Sequence, residues 1–279
     1  MRVAYLGPAG TFTEEALRAS LTGASDQVEE LPYPTVYETV MAVQEGEAER
    51  AVVPIENSLE GGVAATLDAL AGEADGVRIA AEVVHPIHHC LVAPGALDLS
   101  EVTRVVSHPQ ATAQCARFLR GRLGQAERVS AASTSEAVRQ VRDAGGSWVA
   151  LGSRLSAELY GCRVLAADVE DHPDNETRFV WLAPAGEAVD PGPRAKTSIV
   201  FWGFNDESPG ALVSVLSELS DRGINLTRIE SRPRRVGLGH YMFFADLEGA
   251  VGRAPVDEAL AALRERVETI RVLGSYPAA

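Results

Sequence analysis

The sequence is short of positive charge. Against 39 Asp and Glu it sets 25 Lys and Arg, for a formal net charge of −14. Such a chain repels nucleic acid and anionic membrane surfaces, because it lacks the basic footprint that phosphate binding needs. An anionic substrate must therefore find its favourable contacts locally. No apolar run approaches the length of a membrane span. The opening MRVAYLGPAG holds a short apolar run before Gly and Pro, and reads as a buried first strand, not a signal peptide. Cysteine is scarce. Cys90, Cys115 and Cys162 are odd in number, far apart and in no C-x-x-C pair, which argues against a disulfide framework and for reduced core thiols in a cytoplasmic protein. Solenoid repeats are missing, and compositional bias is confined to one Pro/Gly/Ala-rich stretch, APAGEAVDPGPRAK. HPIHHC (85–90) is the one stretch that suggests a metal. As a strand it sends His88 and Cys90 to one face and His85, Ile87 and His89 to the other, so four ligands do not converge and no metal is expected.

What is present is enough apolar material, 46% of 279 residues, to bury two domains. The first part alternates strand and helix. RVAYLG, AERAVVPIE, RVVS and SWVALG read as strands; TFTEEALRASL, VYETVMAVQEGE and STSEAVRQVRDAGG read as helices. Thr11 with Glu14, and Ser133 with Glu136, have the spacing of capping boxes. This alternation predicts a mostly parallel α/β sheet. Several turns after strands carry small or hydroxyl residues: LGPAGTFTEEAL, VPIENSLEGGV, VVSHPQATAQC and ALGSRLSAELYG. Ligands of open α/β sheets bind beyond the carboxyl ends of strands, and helix amino ends there suit a carboxylate. Such turns can converge on one anion, or each can be simple capping.

Beyond a linker at 184–195 the pattern changes to βαββαβ, the ferredoxin-like split arrangement, over 196–279. A domain of about 80 residues is small, and pairing with a second copy would cover its exposed sheet edge or face. One further stretch, DNETRF (174–179), sets an unusually polar run at a strand entrance. Asp174 and Asn175 are good turn formers, so an ordinary turn and an active-site segment both remain open.

Taken in order, GPAGTFTEEAL, VVPIENSLEGGV, SHPQATAQC and DNETRF resemble the prephenate dehydratase family, and PGALVSVL, NLTRIESRP and YMFFADLEG resemble the ACT regulatory domain fused to it. The resemblance spans nearly the whole chain. Gly62 stands where the family often has Ser, and Thr112 where Leu is common. The resemblance implies a form without the chorismate mutase segment of bifunctional relatives. It also implies a bilobal, periplasmic-binding-protein-like catalytic domain over 1–183, with lobe one at about 1–75 and 163–183, lobe two at about 80–160, and the site between them. The implied reaction converts prephenate to phenylpyruvate, water and carbon dioxide, with no metal or organic cofactor. Arogenate as substrate and a non-catalytic amino-acid sensor are the alternatives.

Within that resemblance Thr177 is the group that assists the leaving hydroxyl. An alcohol is too weak an acid to hand over a free proton, so its expected role is a hydrogen bond to the departing oxygen. Arg178 either grips a substrate carboxylate with its forked guanidinium or pairs with Asp174 or Glu176. Asn175 completes the catalytic group, and Phe179 packs the cleft floor. Thr11, Thr13, Asn57 and Ser58 offer neutral donors. Ser107, His108 and Gln110 would donate from the second lobe, with His108 either a general acid or a structural His-Pro turn. Glu56 is harder to place, since a carboxylate near a dianion is unfavourable unless protonated or paired. In the C-terminal domain the resemblance implies an L-phenylalanine site between two copies. It would be built from Gly210, Ala211, Leu212 and Val213 at a helix start, with Asn225, Leu226, Glu230, Ser231, Arg232 and Pro233 around a strand. A homodimer or homotetramer is the expected assembly. The plainer alternative is that Gly210 merely starts a helix and Glu230 and Arg232 form a surface pair.

Overall fold

The structure, a computed structural model, describes residues 1–21, 28–204 and 208–279. The first lobe is built on a sheet ordered β2–β1–β3–β11–β5, from β1 (Arg2–Leu6), β2 (Glu29–Tyr33), β3 (Arg50–Asn57), β5 (Val77–Pro86) and β11 (Glu176–Pro184); the two-residue β4 (Gly61–Gly62) folds back onto β3. Here β1 runs parallel to β2 and β3, while β11 lies antiparallel between β3 and β5. Helices α1 (Phe12–Ser20), α2 (Val36–Gln44) and α3 (Ala64–Ala71) cover it. The second lobe has the order β10–β6–β9–β7–β8, from β6 (Cys90–Ala93), β7 (Arg104–Ser107), β8 (Glu127–Ser130), β9 (Trp148–Gly152) and β10 (Arg163–Ala166). Its helices are α4 (Pro109–Gln114), α5 (Ala116–Arg122), α6 (Thr134–Ala144) and α7 (Arg154–Leu159).

The chain thus crosses between lobes twice, at 87–89 and at 167–175. This moves the expected boundaries. β5 stays in the first lobe because its partner is β11, and β10 belongs to the second because it pairs with β6. The sequence shows where strands fall but not which partner each one takes.

The lobes touch through the turn after β1. The Ser153 hydroxyl donates to the Gly10 carbonyl at 2.9 Å, and the Tyr160 hydroxyl to that of Ala9 at 2.9 Å. Gly10 is required here. Its φ is +87°, and a Cβ would lie 2.8 Å from Ser135 Oγ and 3.0 Å from the Ser156 backbone.

The third domain has the expected βαββαβ order: β12 (Ala195–Trp202), α8 (Ala211–Ser220), β13 (Leu226–Pro233), β14 (Tyr241–Glu248), α9 (Val256–Arg264) and β15 (Thr269–Pro277). Its antiparallel sheet is ordered β13–β14–β12–β15. One face packs on α8 and α9 through Ile199, Phe201, Val215, Leu219, Leu260 and Leu263. The other face lies on this chain's own first lobe. Phe244, Leu273 and Tyr276 join Ile55, Leu70, Ile79 and Leu182 in one apolar cluster. The sheet face expected to seek a second copy is therefore covered within the chain, while β13 remains a sheet edge.

Candidate active site

Between the lobes lies a cavity of about 390 Å³, a size suited to a small organic acid. Its lining comes from both lobes and both crossings: Thr11 and Thr13 after β1, Asn57 at the end of β3, Ile87 and His89 on the first crossing, His108 and Gln110 after β7, Ser133 and Thr134 after β8, and Asn175, Thr177 and Phe179 on the return. The described residues that line it include no Lys, Arg, Asp or Glu. What suits it to an anion is backbone. Thr11 caps α1, His108 caps α4 and Ser133 caps α6, each accepting from a backbone amide inside its helix. The positive ends of these helices therefore meet at one cavity.

Thr177 sits where the reading of DNETRF needs it. Its Oγ1 accepts a hydrogen bond from Asn57 Nδ2 at 2.9 Å. The same amide nitrogen reaches Asn175 Oδ1 at 2.8 Å. Asn57 itself is held by its own turn, since its Oδ1 accepts the backbone amides of Leu59 at 3.0 Å and Glu60 at 3.1 Å. Because an amide donor occupies one lone pair of the threonine oxygen, the hydroxyl proton is free to be donated. Asn175 is fully buried, so its amide must be bonded; besides Asn57 it reaches Gln114 Oε1 at 3.3 Å. Phe179 lies two residues beyond Thr177 on the same strand face. It packs with Tyr5, Leu17 and Val52 under the cavity.

Four expected site residues lie elsewhere. Arg178 points to the opposite face of β11, into the seam with the third domain. It meets Asp246 at 2.5 Å, Glu82 at 3.0 Å and Glu56 at 3.1 Å, and neither Asp174 nor Glu176. Burial by itself would push its guanidinium pKa down, but the facing charges of Asp246 and Glu82 with the Tyr276 phenol outweigh burial and hold it above its usual value. Glu56 is on the same side, pairing with Arg178 and, at 3.6 Å, with Arg228. It therefore has cations to offset it, and among the described residues it makes no side-chain bond to the second lobe. Ser107 is buried and donates to the Leu151 carbonyl at 3.1 Å, a strand-to-strand tie. Ser58 binds the entrance of β11, its hydroxyl accepting the Glu176 amide at 3.0 Å. In each case strand alternation or local backbone need, invisible to motif matching, turns the side chain away from the cleft.

Ser133, Thr134, His89 and Gln114 are cavity residues that motif reading passed over. The Ser133/Glu136 capping signal marked the first two; nothing local marked the others. The fourth hydroxyl-rich turn, at Ser153, ties lobes together and does not line the cavity. At the hinge side, His88, Asp168 and Glu170 bring potential ligand atoms within 4.8 Å of one another, with His88 Nδ1 2.8 Å from Glu170. They lie outside the substrate cavity.

The expected effector residues also divide. Gly210, with φ of +82°, starts α8 and with Ala211 lines an open surface cavity; Val213 is exposed and Leu212 packs toward the core. Asn225 and Leu226 hold the entrance of β13, the Asn225 carbonyl accepting the Glu248 amide at 3.0 Å. Alternation along β13 exposes Ser231 and Pro233 but turns Glu230 and Arg232 toward the first lobe. There Glu230 pairs with Arg228, and Arg232 grips Asp68 at 2.8 and 3.1 Å. They do not form a pair with each other.

Comparison with known proteins agrees with this architecture. The family model described as prephenate dehydratase matches residues 3–187, and that of the ACT domain matches residues 198–265. A prephenate dehydratase of Mycolicibacterium vanbaalenii is 40% identical over 99% of this chain and 90% of its own length. A solved prephenate dehydratase of Arthrobacter aurescens, in complex with L-Phe, is 39% identical with a TM-score of 0.90, covering 99% of this chain and 90% of that one. GqqA, described as a novel type of quorum-quenching acylase, is 34% identical with a TM-score of 0.87, covering 100% of this chain and 98% of that one. With two thirds of its length matched by the catalytic model and a two-lobed cavity built on the same motifs, the chain belongs to the prephenate dehydratase family and carries an ACT domain at its carboxyl end.

Proposed function

We propose that this cavity binds prephenate and releases phenylpyruvate, water and carbon dioxide. The observation that carries the reading is the Asn57–Thr177 hydrogen bond in a cavity that, among the described residues, is lined by no Asp, Glu, Lys or Arg. The carbon–carboxylate bond breaks, its electron pair enters the ring, and the ring C–O bond breaks toward the departing hydroxyl. That oxygen takes up one proton to leave as water. Thr177 donates a hydrogen bond to it as charge develops, and solvent water resupplies the proton. Asn57, donating to the same oxygen, polarises the hydroxyl and favours this direction. The pyruvyl carboxylate is served by the amino ends of α1 and α6. The carboxylate that departs belongs against the apolar wall of Leu6, Phe12, Val63 and Phe179, where its loss as carbon dioxide relieves an unfavourable burial.

The lining also favours prephenate over arogenate. Arogenate carries an ammonium in place of the keto group, and no carboxylate among the described lining residues would meet it. The likeness to GqqA raises amide hydrolysis as a second reaction. That chemistry needs a nucleophile with an adjacent base, whereas Thr177 Oγ1 faces an amide donor. The test is purified enzyme with prephenate, with arogenate and with an acyl amide in parallel. Phenylpyruvate and carbon dioxide released in equal amounts from prephenate support the reading; preferred turnover of either other substrate overturns it.

The ACT domain responds to L-phenylalanine, bound where α8 starts and where β13 of a second copy would complete the site. This assembly, a homodimer or a tetramer made of two, rests on the edge position of β13 and on the L-Phe complex of the Arthrobacter relative. A phenylalanine titration that changes neither rate nor assembly, followed by kinetics and light scattering, would remove it.

A further inference from the structure

Gln114 ends α4 in the second lobe, and its side-chain oxygen receives two donors. His89 Nε2 stands 3.0 Å from Oε1, and Asn175 Nδ2 stands 3.3 Å from the same atom. Gln114 Nε2 faces Glu60 of the first lobe at 3.5 Å. His89 is 2% exposed, and its Nδ1 has no partner. Burial lowers its pKa, so the ring is neutral and carries one N–H. A hydrogen on Nδ1 would be a buried donor without an acceptor, and would leave two lone pairs facing each other at Gln114. The hydrogen therefore belongs on Nε2. This fixes the Gln114 amide with its oxygen toward His89 and Asn175. Asn175 then turns its NH₂ to Gln114 and its oxygen to Asn57, and Asn57 donates to Thr177. Asn57 Nδ2 also reaches the Glu176 carbonyl at 3.1 Å, so its two hydrogens serve three acceptors, but the way each of the three amides faces is fixed, and Thr177 Oγ1, accepting from Asn57, keeps its own proton to donate.

We propose that Gln114, backed by His89, is a positioning residue for the elimination: it is the point at which the second lobe enters the hydrogen-bond chain that aims the Thr177 hydroxyl. The proposal rests on Thr177 acting as donor to the leaving oxygen. It links lobe closure to chemistry, because Gln114 rides on the second lobe whereas Asn57 belongs to the first and Asn175 to the crossing between them. When the lobes part, Asn175 loses a partner and the chain loses its fixed direction.

The experiment is a pair of double-mutant cycles in the full-length protein. Gln114→Met keeps the side-chain length and removes the acceptor. It should lower kcat about 10-fold or more, the effect of losing a buried hydrogen-bond partner, with KM within about 3-fold and melting close to wild type. In a Thr177→Val background, where there is no hydroxyl to aim, the same substitution should change the residual rate less than about 2-fold. His89→Phe keeps the ring that packs edge-on to Phe12, removes the donor, and should behave in the same way with a smaller loss. A packing role predicts equal losses in both backgrounds, and that result, or a Gln114→Met enzyme with unchanged kcat, overturns the proposal. Either cycle decides by itself if one variant does not fold. Wild-type enzyme that yields no phenylpyruvate would overturn the reaction reading instead, so the two failures are distinguishable.

Discussion

The two faces of β11 meet opposite surroundings. Thr177 and Phe179 look into the cleft, among amides, hydroxyls and apolar walls. Arg178, between them in sequence, looks into the seam between domains. There Glu82 also takes Lys196, the chain's only lysine, at 2.5 Å, and Asp246 also accepts from Ser198 at 2.6 Å. One face leaves a hydrogen-bond donor free; on the other, Arg178 is ringed by Asp246, Glu82 and Glu56. The contrast separates two tasks that a three-residue motif sets side by side. The cleft must stay unsaturated to take a substrate. The seam must be saturated, because a buried charge without a partner is strongly destabilising. It also means that the regulatory domain holds the residue next to Thr177 directly, without passing through the cleft.

The largest expected effect tests the cleft face. Thr177→Ala should cut kcat about 10²–10⁴-fold with little change in KM, and Thr177→Ser should keep part of the activity. Steady-state kinetics decides, and equal activity in Ala and wild type would remove Thr177 from the chemistry. The seam should give the reverse pattern. Arg178→Met leaves Glu82 and Asp246 buried without their shared cation, and should lower stability by about 3–5 kcal/mol. The folded fraction should keep kcat and KM within about 3-fold of wild type, while its response to phenylalanine weakens. A large rise in KM with unchanged melting would return Arg178 to the substrate and break the comparison.

A smaller effect probes the seam at Gly62. A Cβ there would lie 1.8 Å from the Glu230 carboxylate, so Gly62→Ser displaces Glu230. The obstacle is the mobile end of a side chain, so thermal unfolding should show a loss of about 1 kcal/mol or less. A loss several times larger would mean that Glu230 is fixed more rigidly than an ion pair to Arg228 implies. The smallest effect is a slope. Burial depresses the pKa of His89, so the unfolded chain binds more protons there as acid is added. This contribution is fully present above the ordinary histidine value of about 6.5 and is lost as pH falls below it. Between about pH 7.5 and 5.5 the melting temperature of wild type should therefore fall more steeply than that of His89→Phe. Parallel slopes would show that His89 is protonated or solvated in the folded protein.

Much of this was legible beforehand because it depends on local rules. Capping pairs at Thr11 and Ser133, the βαββαβ order and the polar entrance at DNETRF each follow from residues a few positions apart. The errors share one cause. Motif membership puts Ser107 in the cleft, leaves Arg178 open between a substrate carboxylate and an ion pair, and leaves Glu56 hard to place, yet each is turned from the cleft by strand alternation relative to sheets whose order could not be read. Gln114 and His89 went unseen because their meaning lies in partners 61 and 25 residues distant, respectively.

By itself the sequence determined the elements, the two kinds of domain and the residues able to donate hydrogen bonds to an anion, since periodicity, capping and donor chemistry are properties of short segments. Only the tertiary structure decided which side of β11 is the cleft. That choice depends on β11 inserting between β3 and β5 while the third domain buries the opposite face, and contacts among segments far apart in the chain fix it.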